Sequence, residues 1–133
     1  MKFSYNELLD RWETPASFGE KEFRLSVLSD YLEQDRVEVA RRALAKLETG
    51  WGEVESKLVK TLLSVHNDSW AEPEEGFPEL AAEEFLSKLV LTAVDVLEEE
   101  ALSLYLSDSG IFGGHCVTGF WDADGLHEPA LAG

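Results

Sequence analysis

From Leu89 onward the hydrophobic residues of this chain change to a period of two, a spacing that suits strands and not helices. Leu89–Leu97 is apolar on both faces and β-branched, which predicts a central strand. Glu98-Glu99-Glu100 breaks it. Ala101–Leu106 then alternates, with Leu102, Leu104 and Leu106 inward and Ser103 and Tyr105 outward. Asp108-Ser109-Gly110 turns the chain into the next strand, Cys116–Trp121. Asp122-Ala123-Asp124-Gly125 is a hairpin turn, and Leu126–Leu131 is expected as a last edge strand, where Pro129 costs no inner hydrogen bond.

The front of the chain divides in two. In residues 20–30, Phe23, Leu25 and Val27 fall on one face and Glu22, Arg24 and Ser26 on the other, as in a half-buried strand. Ala16-Ser17-Phe18-Gly19 is read as a turn that pairs it with a first arm over Leu9–Thr14. Asp35 and Glu38 have capping-box spacing, and Val37, Ala40, Leu44 and Leu47 follow on one helical face. Thr49-Gly50 closes this helix, with Trp51-Gly52 in the turn. A second helix is expected from about Glu53 to Val65 on Val54, Leu58, Leu62 and Val65, antiparallel to the first. Asn67–Glu79 is a loop by its turn formers, with Trp70 and Phe77 as apolar anchors, and a short third helix runs from Glu79 to about Lys88. The expected architecture is therefore α+β in a single domain over residues 1–133. It has an N-terminal β-hairpin, two antiparallel helices plus a short third, and a C-terminal antiparallel meander of about four strands.

Charge narrows the function. Residues 1–60 carry ten Lys/Arg and twelve Asp/Glu, while residues 61–133 carry one base, Lys88, and fifteen acids. The back half thus holds −14 of the net −16. That field repels nucleic acid and anionic membrane and attracts a basic protein. A hydrophobic content of 44% argues against a disordered acidic tail. No apolar run approaches the ~18 residues of a membrane span. No apolar leader is visible, and the single cysteine, Cys116, has no internal disulfide partner, which leads to the expectation of a cytoplasmic protein.

Order and motif together resemble an uncharacterised family of small bacterial proteins. The residues that carry the resemblance are Asn67, Ser69 and Trp70 in the loop, Phe112, Gly114 and His115 between two strands, and Ala132-Gly133 at the end. The similarity spans roughly residues 18–133. It implies the fold and assigns no chemistry.

His115 stands out because Gly113-Gly114 before it permit positive φ, so its ring is either a fixed base or ligand, or a structural group bonded to nearby backbone. Cys116 points to the opposite strand face from His115 and reads as a small core residue. His66, His115 and His127 match no metal spacing, and Asp122–Gly125 echoes only the start of a calcium loop. No serine elbow or phosphate loop is present, so no catalytic residue, metal or cofactor is assigned. The expected binding set is Trp70, Phe112 and His115 as anchors in turns, with Glu98, Glu99 and Glu100 as rim acids. The leading expectation is a non-enzymatic acidic binding protein, of immunity or antitoxin kind, that caps a basic toxin. The alternatives are a small enzyme using His115 with a nearby carboxylate, or a structural accessory protein.

Overall fold

The computed structural model of the chain describes residues 1–132. One sheet of eight strands collects both ends of the sequence. The strands are β1 (Ser4–Asn6), β2 (Arg11–Phe18), β3 (Lys21–Leu28), β4 (Val90–Val96), β5 (Leu102–Ser107), β6 (Cys116–Asp122), β7 (Gly125–Leu126) and β8 (Ala130–Ala132). The helices are α1 (Glu33–Leu58) and α2 (Ala82–Lys88). From β1 to β7 neighbours in sequence pair antiparallel, except that β3 and β4 pair parallel through Arg24↔Ala93 to Val27↔Val96, and β8 pairs antiparallel with β6. Helix α1 is the crossover that a parallel pair requires. The N-terminal hairpin and the C-terminal meander are therefore halves of one sheet.

The strand phases follow the alternation. Leu25, Val27, Val94, Leu102, Leu104, Leu106 and Val117 are all at most 1% exposed and face the helices. The hairpin differs from expectation: its arms run to Phe18 and resume at Lys21, so Ala16–Phe18 is strand and the turn is Gly19-Glu20. The C-terminal edge strand is split in two. Trp121 pairs with Leu126 and Thr118 with Ala130, and Pro129 lies buried in the interruption, where its missing N–H is not needed.

The two expected antiparallel helices are one continuous helix. Asp35 is not its cap: Leu32 occupies the N-cap without a side-chain bond, and Asp35 sits in the first turn, where a negative charge suits the helix dipole. Gly50 and Gly52 lie inside the helix, although each costs about 1 kcal/mol against alanine there. Tertiary packing accounts for Gly50. A Cβ built on it would lie 2.0 Å from Cη2 of Trp121, so the missing side chain is the slot that admits the indole. Trp121 is 7% exposed, with the Lys46 ammonium 5.2 Å from its ring.

Beyond Leu58 the helix continues through two wide π turns, Val59–Leu63 and His66–Trp70. The wide turns keep a spacing of four through Val54, Leu58, Leu62 and His66, all buried. His66 thereby takes the inward place expected for Val65, which is 38% exposed. The first part of the expected Asn67–Glu79 loop is thus the end of this helix.

Candidate functional site

The two sequence motifs meet in space. The π turn His66–Trp70 carries the first, and the β5–β6 loop carries the second. Phe112 is fully buried at their junction, not exposed as expected for an anchor in a turn. Its ring meets Trp70 edge-on at 5.9 Å, His66 at 5.6 Å and Phe85 at 6.1 Å. Such contacts are worth about 0.5–1.5 kcal/mol each beyond area burial. Gly113 adopts φ +68, and a Cβ there would lie 3.0 Å from Trp70 Cζ3, so glycine is required on both counts.

Asp108 holds the loop from within. It is 5% exposed, and its carboxylate accepts N–H bonds from Gly110 (3.0 Å), Phe112 (3.0 Å) and Gly114 (2.8 Å). Burial alone would raise its pKa, but the backbone donors outweigh burial and hold it below the ordinary carboxylate value. Asn67 ties the π turn to the next segment. Its Oδ1 accepts the Leu80 N–H at 2.9 Å and its Nδ2 donates to the Leu80 carbonyl at 3.0 Å. The His66 Nδ1 sits 2.8 Å from the same Oδ1.

His115 lies half-buried at the rim, with its ring 5.6 Å from Trp70. Among the described residues no hydrogen bond joins the ring to backbone or to a carboxylate, so the expected backbone bond is replaced by aromatic packing. Asp108, the acid of the same loop, is already taken by backbone N–H groups. Cys116 is partly exposed on the sheet's open face, opposite Ala132, and is not a core residue. Gly133, named with Ala132 in the terminal motif, lies outside the described residues.

The rim acids divide. Glu98 and Glu99 are exposed, whereas the Glu100 carboxylate accepts from Arg42 Nε at 2.6 Å. Glu99 and Glu100 both hold positive φ, +55 and +59, and Ala101 N–H donates to the Glu98 carbonyl at 3.2 Å. This two-residue reversal normally takes Asn-Gly.

Two features were missed in the sequence. The first is an acidic hairpin. Glu72 and Phe77 exchange both backbone bonds, at 2.6 and 3.0 Å, across Pro73-Glu74-Glu75-Gly76. They hold Phe77, read as an apolar anchor within the loop, 57% exposed. Asp68, Glu72, Glu74, Glu75, Glu79, Glu83 and Glu84 surround it in sequence, and none pairs with a base among the described residues. The signal was available: Pro-Glu-Glu-Gly is a turn, and an aromatic directly after it faces solvent unless something covers it.

The second is a polar cluster at the centre of the sheet's open face. Asp95 pairs with Arg11 and lies beside Ser26 and Ser103 in register. Arg24 and Glu13 approach to 3.6 Å on the same face. Burial, and then the Asp95 carboxylate, holds the Tyr105 phenol above its ordinary pKa. The overlooked signal is Asp95 itself, a charge in the strand read as apolar on both faces, which must find a partner.

The chain can also be compared as a whole. A family model described as an uncharacterized protein conserved in bacteria (DUF2262) matches residues 1–130. The chain belongs to this family. The match begins at residue 1 and so takes in the β1–β2 region that the sequence resemblance did not cover. No curated protein and no solved structure matches the chain. Among the described residues no helix is long and apolar enough to cross a membrane, and no group of three or more His, Cys, Asp or Glu is placed to hold a metal ion.

Proposed function

We propose that this protein is a non-enzymatic, acidic binding protein of the bacterial cytoplasm whose partner is a basic protein. The sharper form is an immunity or antitoxin-like role, in which the acidic surface caps the basic cleft of a toxin. The observation that carries the reading is the hairpin Glu72–Phe77, which presents an exposed aromatic flanked in sequence by acids that pair with no base among the described residues. An aromatic anchor ringed by like charges is the pattern of a hot spot with an electrostatic rim. Phe77 replaces the buried Phe112 as anchor, while Trp70 and His115 are first of all packing partners, Trp70 against Phe112 and His115 against Trp70. Glu98 and Glu99 remain rim acids, and Glu100 is occupied by Arg42. The enzymatic alternative would need a carboxylate that orients His115, and Asp108 is committed to backbone.

The test is a pull-down from the native cell, followed by binding kinetics across a salt series. The expected partner is basic, with an on-rate that falls steeply as the Debye length shrinks below about 8 Å. Glu74→Gln with Glu75→Gln should mainly lower the on-rate, and Phe77→Ala should mainly raise the off-rate. A neutral or acidic partner bound without salt dependence overturns the reading.

A further inference from the structure

We infer a second contact site for the same basic partner: a groove that takes a Lys or Arg side chain flanked by aliphatic residues. This rests on the reading that the partner is basic. The groove has a volume of about 400 Å³ and lies where the β2–β3 turn, α1, the end of α2 and the start of β4 converge. Its bed is apolar, formed by Trp51, Leu58, Leu86 and Leu91. Val90 stands at its edge, 49% exposed, although it begins a central strand.

The mouth is acidic. Glu20, Glu22 and Glu55 line it, and none is within ion-pair distance of a base among the described residues. One cation, Lys21, is present, and it is already engaged, with its ammonium 5.3 Å from the Trp51 ring and 5.6 Å from Phe18. Three occupants can be ranked on this geometry. A neutral apolar group would cover the bed but desolvate carboxylates without pairing them. An anion would meet three carboxylates and a net −16. A long side chain with an aliphatic stem and a cationic head satisfies both layers, stem on Trp51 and Leu86, head among the carboxylates. The site is distinct from the Phe77 hairpin, and α2, which follows that hairpin in the chain, supplies Leu86.

The experiment uses the whole chain, two capped tetrapeptides and amide NMR. The probes are acetyl-Leu-Arg-Leu-Arg-amide and its anionic counterpart acetyl-Leu-Glu-Leu-Glu-amide. The cationic peptide should shift the Trp51 indole N–H and the Leu86 and Val90 amides, and the anionic one should not. Glu22→Gln with Glu55→Gln should weaken the cationic peptide about three- to tenfold, as expected for two partly exposed ion pairs, with an unchanged melting curve. Equal shifts from both peptides, shifts only elsewhere, or no loss in the double variant would overturn the groove. Failure here with a basic partner still bound through Phe77 sinks this inference alone. Peptide binding in the groove beside a native partner that is not basic sinks the functional reading instead.

Discussion

Gly50→Ala and Gly52→Ala should change stability in opposite directions, though both sit inside α1. Helix propensity favours alanine at either position by about 1 kcal/mol. At Gly52 nothing lies within 4 Å of the new methyl, so the gain should be realised. At Gly50 the methyl would lie 2.0 Å from Trp121 Cη2, 2.8 Å from Cζ2 and 3.2 Å from Cζ3. The ring must retreat by more than an ångström to reach ordinary contact, and it is 7% exposed with Lys46 over its face. Overpacking of this kind costs about 1–3 kcal/mol and rises toward the 3–5 kcal/mol of losing the tryptophan if the indole is expelled. A methyl this close to the ring puts the cost between these limits, at about 2–4 kcal/mol, and after the propensity gain of about 1 kcal/mol a net loss of about 1–3 kcal/mol is expected. For a chain of this size that lowers Tm by about 3–15 °C, against a rise of about 3–5 °C for Gly52→Ala. Calorimetry or denaturant unfolding of the two variants measures both. In a Trp121→Leu background the Gly50→Ala penalty should shrink, because the clashing ring is gone. A Gly50→Ala protein as stable as Gly52→Ala would refute the account of why the helix carries a glycine there.

Asp108→Asn should cost about 1–3 kcal/mol at neutral pH, since the β5–β6 loop loses a charged acceptor for its N–H groups. The folded pKa of Asp108 lies below its unfolded value, so its contribution is present above the ordinary carboxylate range near ~4 and is lost as pH falls through the folded value. The gap between variant and wild type should therefore close in acid, and a gap that stays constant to low pH would count against this role. Glu99→Gly should raise stability by about 1 kcal/mol, because it removes a side chain from a backbone held at φ +55, and equilibrium unfolding would detect it. No gain, or a loss, would show that the Glu99 side chain makes a compensating contact.

Much of the local structure was legible because each element writes its own period. Leu102, Leu104 and Leu106 point inward as alternation requires, and Phe23, Leu25 and Val27 do the same on β3. The β4 strand, its break at Glu98–Glu100 and the hairpin turn at Asp122–Gly125 also lie where turn formers and charge place them. The candidate site was only half legible. Asn67, Trp70, Phe112 and His115 were singled out as residues, but Phe112, offered as a binding anchor in a turn, is the buried centre of the corner.

What the sequence by itself determined is most of the strands, though not β1, part of the buried stripe of the long helix (Ala40, Leu47, Val54 and Leu58, but not Val39 and Ala43) and the strongly acidic back half, because these depend on residues two to four apart or on simple composition. Tertiary structure decided the rest through partners far away in the chain. Trp121 keeps α1 whole by filling the gap at Gly50, a contact no local window contains. The parallel pairing of β3 with β4 joins hairpin and meander across the entire helix. Phe112 is buried because His66, Trp70 and Phe85 arrive around it from the helical half, and Phe77 is exposed because nothing among the described residues covers it. A period states which face of an element is apolar, and only the assembled fold states what meets that face.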